Sequence, residues 1–227
     1  MSPLDFSRKR VLITQSNEFM GPVLCDVFRE LGATVLADSS ALDNPSRPAE
    51  LIQESGIVDI LLLNLGVPAP TTPVSTIEEQ EWRHVFSHMV DPMPRLFKAV
   101  LPQMLARGQG KIILIGSASA LRGIKRSSTY SAARGAQLAF IQAAGIELAP
   151  KQIQINGIAQ NFVDNPTYFP LEVQQNPAFQ ERLKREVPLG RLVSAREDAM
   201  FVAYLASQHA NCFVGQIFPV CGGWVNR

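Results

Sequence analysis

The chain has 227 residues, 46% of them hydrophobic and only 18% charged, with a formal net charge of +1. That is ample apolar material for a core, which excludes a disordered chain, and it fits a single domain over residues 1–227. A near-zero net charge with no basic or acidic block gives no electrostatic footing on nucleic acid or on a membrane surface.

In chain order, short β-branched runs alternate with longer helical patterns. Arg10 to Thr14 reads as a buried strand, and Gly21 to Leu31 follows with helical spacing, closed by Gly32. Thr34 to Ala37 and Asp59 to Asn64 read as the next strands. A long helical pattern runs from Ile77 to Arg107 with Pro92 and Pro94 inside it. Lys111 to Ile115 and Gln154 to Ile158 read as strands on either side of a helix over Ser127 to Leu148. Residues 160–175, rich in Pro, Asn and aromatics, read as a loop. Strands apolar on both faces and separated by helices predict an α/β fold: a Rossmann-like, doubly wound parallel sheet in a three-layer sandwich. Ligands in such folds sit beyond the carboxyl ends of the strands, here Thr14–Phe19, Asn64–Gly66, Gly116–Ser119 and Gln160–Phe169.

Cys25, Cys212 and Cys221 are odd in number and contain no Cys-x-x-Cys pair, so they suggest neither a disulfide framework nor a zinc site. The apolar run after Arg10 stops at Thr14, too short for a signal core, and the longest apolar stretch is broken by Asp59 and Asn64. A reducing, cytoplasmic setting is the expectation.

Ser117 lies just past the Lys111–Ile115 strand, Tyr130 thirteen residues on, and Arg134 four residues after Tyr130. Residues i and i+4 share a helix face, so Tyr130 and Arg134 point the same way, toward the strand end carrying Ser117. The pattern resembles the short-chain dehydrogenase/reductase superfamily, which pairs a Ser with a Tyr-x-x-x-Lys on this fold, and the resemblance covers nearly the whole chain.

The departures from that family carry more information than the match. Its lysine, which holds the nicotinamide ribose and relays a proton, is Arg134 here. Arginine effectively never deprotonates and is a poor relay, although its charge can support a negatively charged phenol beside it. The family's Thr-Gly-x-x-x-Gly-x-Gly turn reads Thr14-Gln15-Ser16-Asn17-Glu18-Phe19-Met20-Gly21, with two of three glycines gone. Those glycines let a diphosphate approach backbone N–H groups; Phe19 puts a ring there and Glu18 a negative charge. The family's helical asparagine falls at Met89, and the Pro-Gly after its sixth strand reads Gln160-Asn161.

That combination resembles the halohydrin dehalogenases, cofactor-independent relatives with a Ser-Tyr-Arg triad and a halide pocket where nicotinamide would sit. The segment Asn161 to Pro170 and Phe19 are similar to their halide-side elements. The resemblance implies closure of vicinal haloalcohols to epoxides and the reverse opening by halide, azide, cyanide or nitrite, without cofactor or metal. It implies Tyr130 as base, Ser117 as donor to the substrate oxygen, and Arg134 as the charge beside Tyr130. Phe19, Gln160, Asn161, Phe162, Val163, Tyr168 and Phe169 are candidates for the halide and substrate lining, with Asn64 and Leu65 from the neighbouring strand end. Backbone N–H groups and aromatic edges suit a halide. Leu121, Arg122 and Ile124 are expected to shape the pocket as well. The resemblance also implies a homotetramer, in which a neighbouring subunit's C-terminus is a candidate to complete the pocket.

Other readings of single residues stand beside these. Asp38, where a ribose-binding acid would lie, reads as solvated or capping. His84 and His88 share a helix face but lack further ligands, so they read as surface residues rather than a metal site. Trp224 reads as a core or interface anchor. The competing functions are a nicotinamide oxidoreductase with a degenerate loop and a non-catalytic binding protein on this fold.

Overall fold

The five apolar runs become β1 (Arg10–Ile13), β2 (Thr34–Ala37), β3 (Ile60–Leu63), β4 (Gly110–Ser117) and β5 (Ile153–Gln160), and a sixth parallel strand that the sequence reading did not include, β6 (Ile217–Val220), closes the edge. The computed structural model describes residues 4–226 of the chain. The strand order is β2-β1-β3-β4-β5-β6, with every neighbouring pair parallel. The chain leaves β1 toward β2, then crosses back to start β3 on the other side. The order reverses between β1 and β3, and a crevice opens there.

The strands are buried on both faces, and alternate residues serve two cores. Leu12, Leu61, Leu63, Ile112, Leu114, Ile153 and Ile155 pack with helices α2 (Arg47–Ser55), α4 (Pro92–Arg107) and α6 (Ser128–Leu148). Val11, Ile13, Ile60, Leu62, Ile113 and Ile115 pack with α1 (Gly21–Glu30) and α9 (Ala195–Ala206) on the other side. This is the expected α/β three-layer arrangement. Among the described residues no helix is long and apolar enough to cross a membrane.

The single helix expected over Ile77 to Arg107 is two helices, α3 (Glu79–Met89) and α4. Proline lacks an N–H, so Pro92 and Pro94 cannot donate to the carbonyls of His88 and Val90, and the first helix stops before them. The break also diverts the Met93 N–H to the Val90 carbonyl, leaving the Met89 carbonyl without its helical donor. The remaining helices are α5 (Ser119–Arg122), α7 (Leu171–Gln174) and α8 (Pro177–Glu186). The stretch read as a loop over residues 160–175 is therefore interrupted by one helical turn, which begins just after Pro170 fixes the entry angle.

Candidate active site

Ser117 ends β4, and its register partner across the sheet is Gln160, the last residue of β5. Tyr130 and Arg134 come from the first turns of α6, whose N-terminal end is anchored by Glu81 on α3. One Glu81 oxygen accepts from the Thr129 hydroxyl at 2.7 Å and the other from Thr72 at 2.5 Å. These elements converge beyond the carboxyl ends of the strands on a cavity of about 60 Å³. Ser117, Tyr130, Arg134, Phe19, Asn64, Gln160, Asn161, Phe162, Val163, Tyr168 and Phe169 all line it, with Met20, Ile115, Gly116 and Asn165 besides.

Arg134 is 6% exposed and held from three sides. Its Nη1 donates to the Leu65 carbonyl at 3.0 Å, the Ile115 carbonyl at 3.2 Å and Gln137 Oε1 at 2.9 Å. Its guanidinium carbon lies 5.0 Å from the centroid of the Tyr130 ring, and its Nε has no protein partner. The fully buried Gln137 completes the clamp, donating to the Met89 carbonyl at 2.7 Å and the Leu65 carbonyl at 3.2 Å. The carbonyl freed by the α3–α4 break is thus satisfied by the residue that orients Arg134. Nothing in the sequence marks Gln137 except its position one turn beyond Arg134 on the same helix.

Two phenols meet in the cavity lining. Tyr168 accepts from the Ala69 N–H and donates to the Val67 carbonyl, each at 3.2 Å. Burial, and then the hydrogen-bonded Tyr130 phenol beside it, push Tyr168 far above the usual tyrosine range. Tyr168 is a neutral donor. The Ser117 hydroxyl accepts from the Ser119 N–H at 3.2 Å and donates to the Ser119 hydroxyl at 3.0 Å. The sequence placed Ser119 only as the end of the Gly116–Ser119 crevice segment, with no role of its own.

The first strand–helix turn keeps the backbone shape of a glycine-rich loop without the glycines. Gln15 and Phe19, at the two positions where glycine is missing, have φ of +44° and +49°. Left-handed backbone costs an L-residue about 1–2 kcal/mol, so both side chains are held there against strain. Gly21 remains glycine because a Cβ would collide with the Gln15 and Ser16 carbonyls. The Gln15 amide crosses the switch-point crevice, accepting from the Gly66 N–H at 2.7 Å and donating to the Gly66 carbonyl at 2.9 Å. Asn64 ties the same turn, donating to the carbonyls of Gln15 at 2.9 Å and Glu18 at 3.0 Å. Phe19 lies between Gly66 and Tyr168, with the latter ring 5.8 Å away, and a Cβ on Gly66 would be 3.3 Å from it.

Beyond β5 the chain is pinned by a bridge between Val163 and Val193. The N–H groups of Asn161, Phe162 and Asp164 are taken by the Val220 carbonyl, the Asn161 side chain and the Val193 carbonyl. The Val163 N–H has no protein acceptor among the described residues. Behind the cavity, Gln160 Nε2 donates to Asp198 Oδ2 at 2.6 Å.

Several expectations are corrected. Leu65 does not line this cavity: its side chain is 1% exposed in the sheet core, and its contribution is the carbonyl that receives Arg134 and Gln137. Successive residues along a strand end alternate faces, so with Asn64 in the cavity Leu65 turns away. Leu121 packs on the core, Ile124 is exposed, and Arg122 lies 4.6 Å above the Trp224 ring and donates to its carbonyl. None of these three reaches the cavity. Asp38 is buried rather than solvated, accepting from Ser40 at 2.8 Å and from Arg47 at 3.4 Å. Trp224, by contrast, is the core anchor expected of it, packing edge-on against Phe162 with 6.2 Å between centroids. The His84 and His88 rings lie 4.3 Å apart on α3, and the described residues contain no cluster of three or more metal-ligating side chains.

The family profile described as Enoyl-(Acyl carrier protein) reductase matches residues 23–225. A putative ketoacyl reductase of Streptomyces coelicolor is 33% identical over 214 residues, covering 87% of this chain and 80% of the relative. A 3-oxoacyl-(acyl-carrier-protein) reductase of Escherichia coli K12 is 26% identical, covering 97% and 98%. A solved structure named a dehalogenation enzyme is 29% identical and superposes with a TM-score of 0.90, covering 99% of this chain and all of that one. A gluconate 5-dehydrogenase from Burkholderia cenocepacia, solved with NADP and tartrate, shares the fold at 24% identity and a TM-score of 0.88, covering 97% and 96%.

Proposed function

The chain belongs to the short-chain dehydrogenase/reductase superfamily, and from that membership we propose that it is a halohydrin dehalogenase, closing vicinal haloalcohols to epoxides without a nicotinamide. The observation that carries this reading is the filled turn. Gln15 bridges the switch-point crevice to Gly66 and Phe19 occupies the space beyond it, beside an otherwise complete Ser117–Tyr130–Arg134 set. A nicotinamide dinucleotide needs that space for its diphosphate, and NAD also uses an open acid at the end of β2 for its ribose. Gln15 and Phe19 take the first, and Arg47 and Ser40 engage Asp38 at the second. The residues present do not fit the cofactor.

In the proposed reaction the substrate hydroxyl lies between Ser117 and Tyr130. Ser117 keeps the Ser119 N–H as donor to its lone pair and turns its own O–H from Ser119 to the substrate oxygen. Tyr130 takes the hydroxyl proton as the oxygen bonds to the neighbouring carbon, and the carbon–halogen bond breaks with both electrons going to halide. Arg134 keeps its proton throughout and supplies a fixed positive charge beside Tyr130. Tyr168 stays protonated and serves as a donor. The departing halide meets the free Val163 N–H and the rings of Phe19, Phe162 and Phe169. The reverse step lets halide, azide, cyanide or nitrite open an epoxide.

The test is incubation with a vicinal bromo-alcohol in the absence of nicotinamide, following bromide and epoxide. Equimolar release of both is expected, and no release, with an epoxide plus azide also inert, overturns the reading. The ketoacyl reductases among the relatives favour the alternative of a nicotinamide oxidoreductase. It predicts saturable binding of reduced nicotinamide dinucleotide, which the dehalogenase reading predicts to be absent. We propose a homotetramer as the assembly. The stacked Trp82 and Phe86 on α3 and the 70% exposed Ile146 on α6 are apolar surface available for it, and a monomer in light scattering would refute it.

A further inference from the structure

Asp198 is the most deeply buried carboxyl in the described chain, at 0% exposure on α9, and the proposed chemistry does not use it. Its Oδ1 has no partner, and its Oδ2 accepts from Gln160 Nε2 at 2.6 Å. Gln160 both hydrogen-bonds Asp198 and lines the cavity, from the strand position level with Ser117. The Gln160 Oε1 end has no protein partner among the described residues. An amide is nearly the same shape with its N and O ends exchanged, so the hydrogen-bonding polarity of its partner decides which end is offered. An ionised Asp198 can only accept, which draws the NH₂ group away and turns Oε1 outward. A protonated Asp198 can donate to Oε1, which turns the NH₂ group outward as a donor.

We propose that Asp198 is a positioning residue whose protonation sets the orientation of the Gln160 amide, so that the cavity presents a donor to an anion when Asp198 is neutral and an acceptor when it is ionised. The proposal rests on the reading of this cavity as the halide site and deepens it: halide capture takes up a proton at a residue that never touches the halide. Burial pushes Asp198 up to about 7, opposed only by the Gln160 hydrogen bond, which puts the switch within the neutral range. Asp198 makes no ion pair among the described residues, and no charged group contributes to that shift; Tyr204, also on α9, bonds the backbone carbonyl of His209 beyond the helix end. On α9, Arg196 pairs with Glu30 of α1, and Glu197 pairs with Arg191. On α1, Asp26 pairs with Arg29, and Cys25 is a buried thiol held protonated by desolvation. Lys111, on β4, bonds Asn211 at the far end of its strand. Tyr130, Arg134 and Tyr168 line the same cavity as Gln160 and make no hydrogen bond to Asp198.

The experiment measures bromide binding by the line broadening of its NMR signal between about pH 5.5 and 8.5, for the intact protein, Asp198→Asn and Gln160→Leu, with circular dichroism to verify folding. In the intact protein bromide affinity should fall by roughly tenfold across the titration of Asp198. The rest of the cavity lining is common to all three proteins, so the comparison isolates Asp198 and Gln160. Both variants should lose the Asp198 component, with Gln160→Leu also binding more weakly at low pH. If Asp198→Asn does not fold, Gln160→Leu alone carries the test, because the amide is the transmitter. Either folded variant keeping the full pH dependence overturns the proposal while leaving the halide site intact. Absence of bromide binding to the intact protein at every pH overturns the halide reading and this proposal with it.

Discussion

The two ends of the sheet carry cavities of opposite character. At the amino ends of the strands a cavity of about 290 Å³ is lined by Lys9, Asp59, Lys111, Gln152, Gln154 and Asn211. At the carboxyl ends the cavity is about 60 Å³, walled by aromatic rings and by Arg134, with Phe19 and Phe162 in left-handed backbone. Size favours the first, and chemistry favours the second. The small cavity combines buried polar groups with missing partners and two neighbouring phenols, which the larger hollow lacks. Volume alone is a poor guide here because the proposed substrate is a few atoms long and its anion is a single atom.

The contrast can be broken most forcefully at Tyr130. Tyr130→Phe removes the base, and bromide release should fall by about 10³-fold with folding unchanged; retention of more than a tenth of the rate would move the chemistry elsewhere. Next comes the clamp on Arg134. Gln137→Leu strands the Met89 carbonyl and loosens Arg134, and should lower the unfolding free energy in urea by about 2–3 kcal/mol. A loss well under ~1 kcal/mol would show the clamp to be incidental. Smaller still is the effect of reopening the crevice: Gln15→Gly combined with Phe19→Gly should strengthen binding of a nicotinamide dinucleotide by at least about tenfold, read by fluorescence titration. An unchanged titration would mean that something other than these two side chains excludes it.

The smallest effect belongs to the larger cavity. Lys111→Met should leave bromide release unchanged. Burial pushes Lys111 down to about 8 from 10.5. Between those values the unfolded chain holds a proton that the folded chain does not, so stability rises with pH across that window. Lys111→Met should remove that rise in thermal melts recorded at successive pH values, and its persistence would place the ionisation on another group.

The sequence disclosed whatever depends on neighbours along the chain. Five of the six strands follow from apolar runs, while β6, a four-residue edge strand containing Pro219, was not among them; Tyr130 and Arg134 follow from their helical spacing. Even Phe19 was legible, because the lost glycines sit in a fixed pattern. What escaped depends on pairs brought together only by the sheet. Gln15 meets Gly66 from 51 positions away, and Gln160 meets Asp198 from 38. Leu65 was misplaced by a single step of the pleat, since neighbours on a strand end face opposite ways. The helix break at Pro92 was visible as two prolines, but its consequence was not. That consequence is a vacant carbonyl at Met89, filled by a glutamine 48 positions on.

Trp224 gives the folded chain an optical property. The protein has two indoles, Trp82 and Trp224. The first is exposed on α3, while the second lies under Arg122 and against Phe162, one ring away from the small cavity. With Trp82 replaced by Phe, the remaining emitter sits where a heavy anion lodged beside Phe162 would shorten its excited state. The tail that closes over the aromatic wall then doubles as a built-in reporter of whether the wall is occupied.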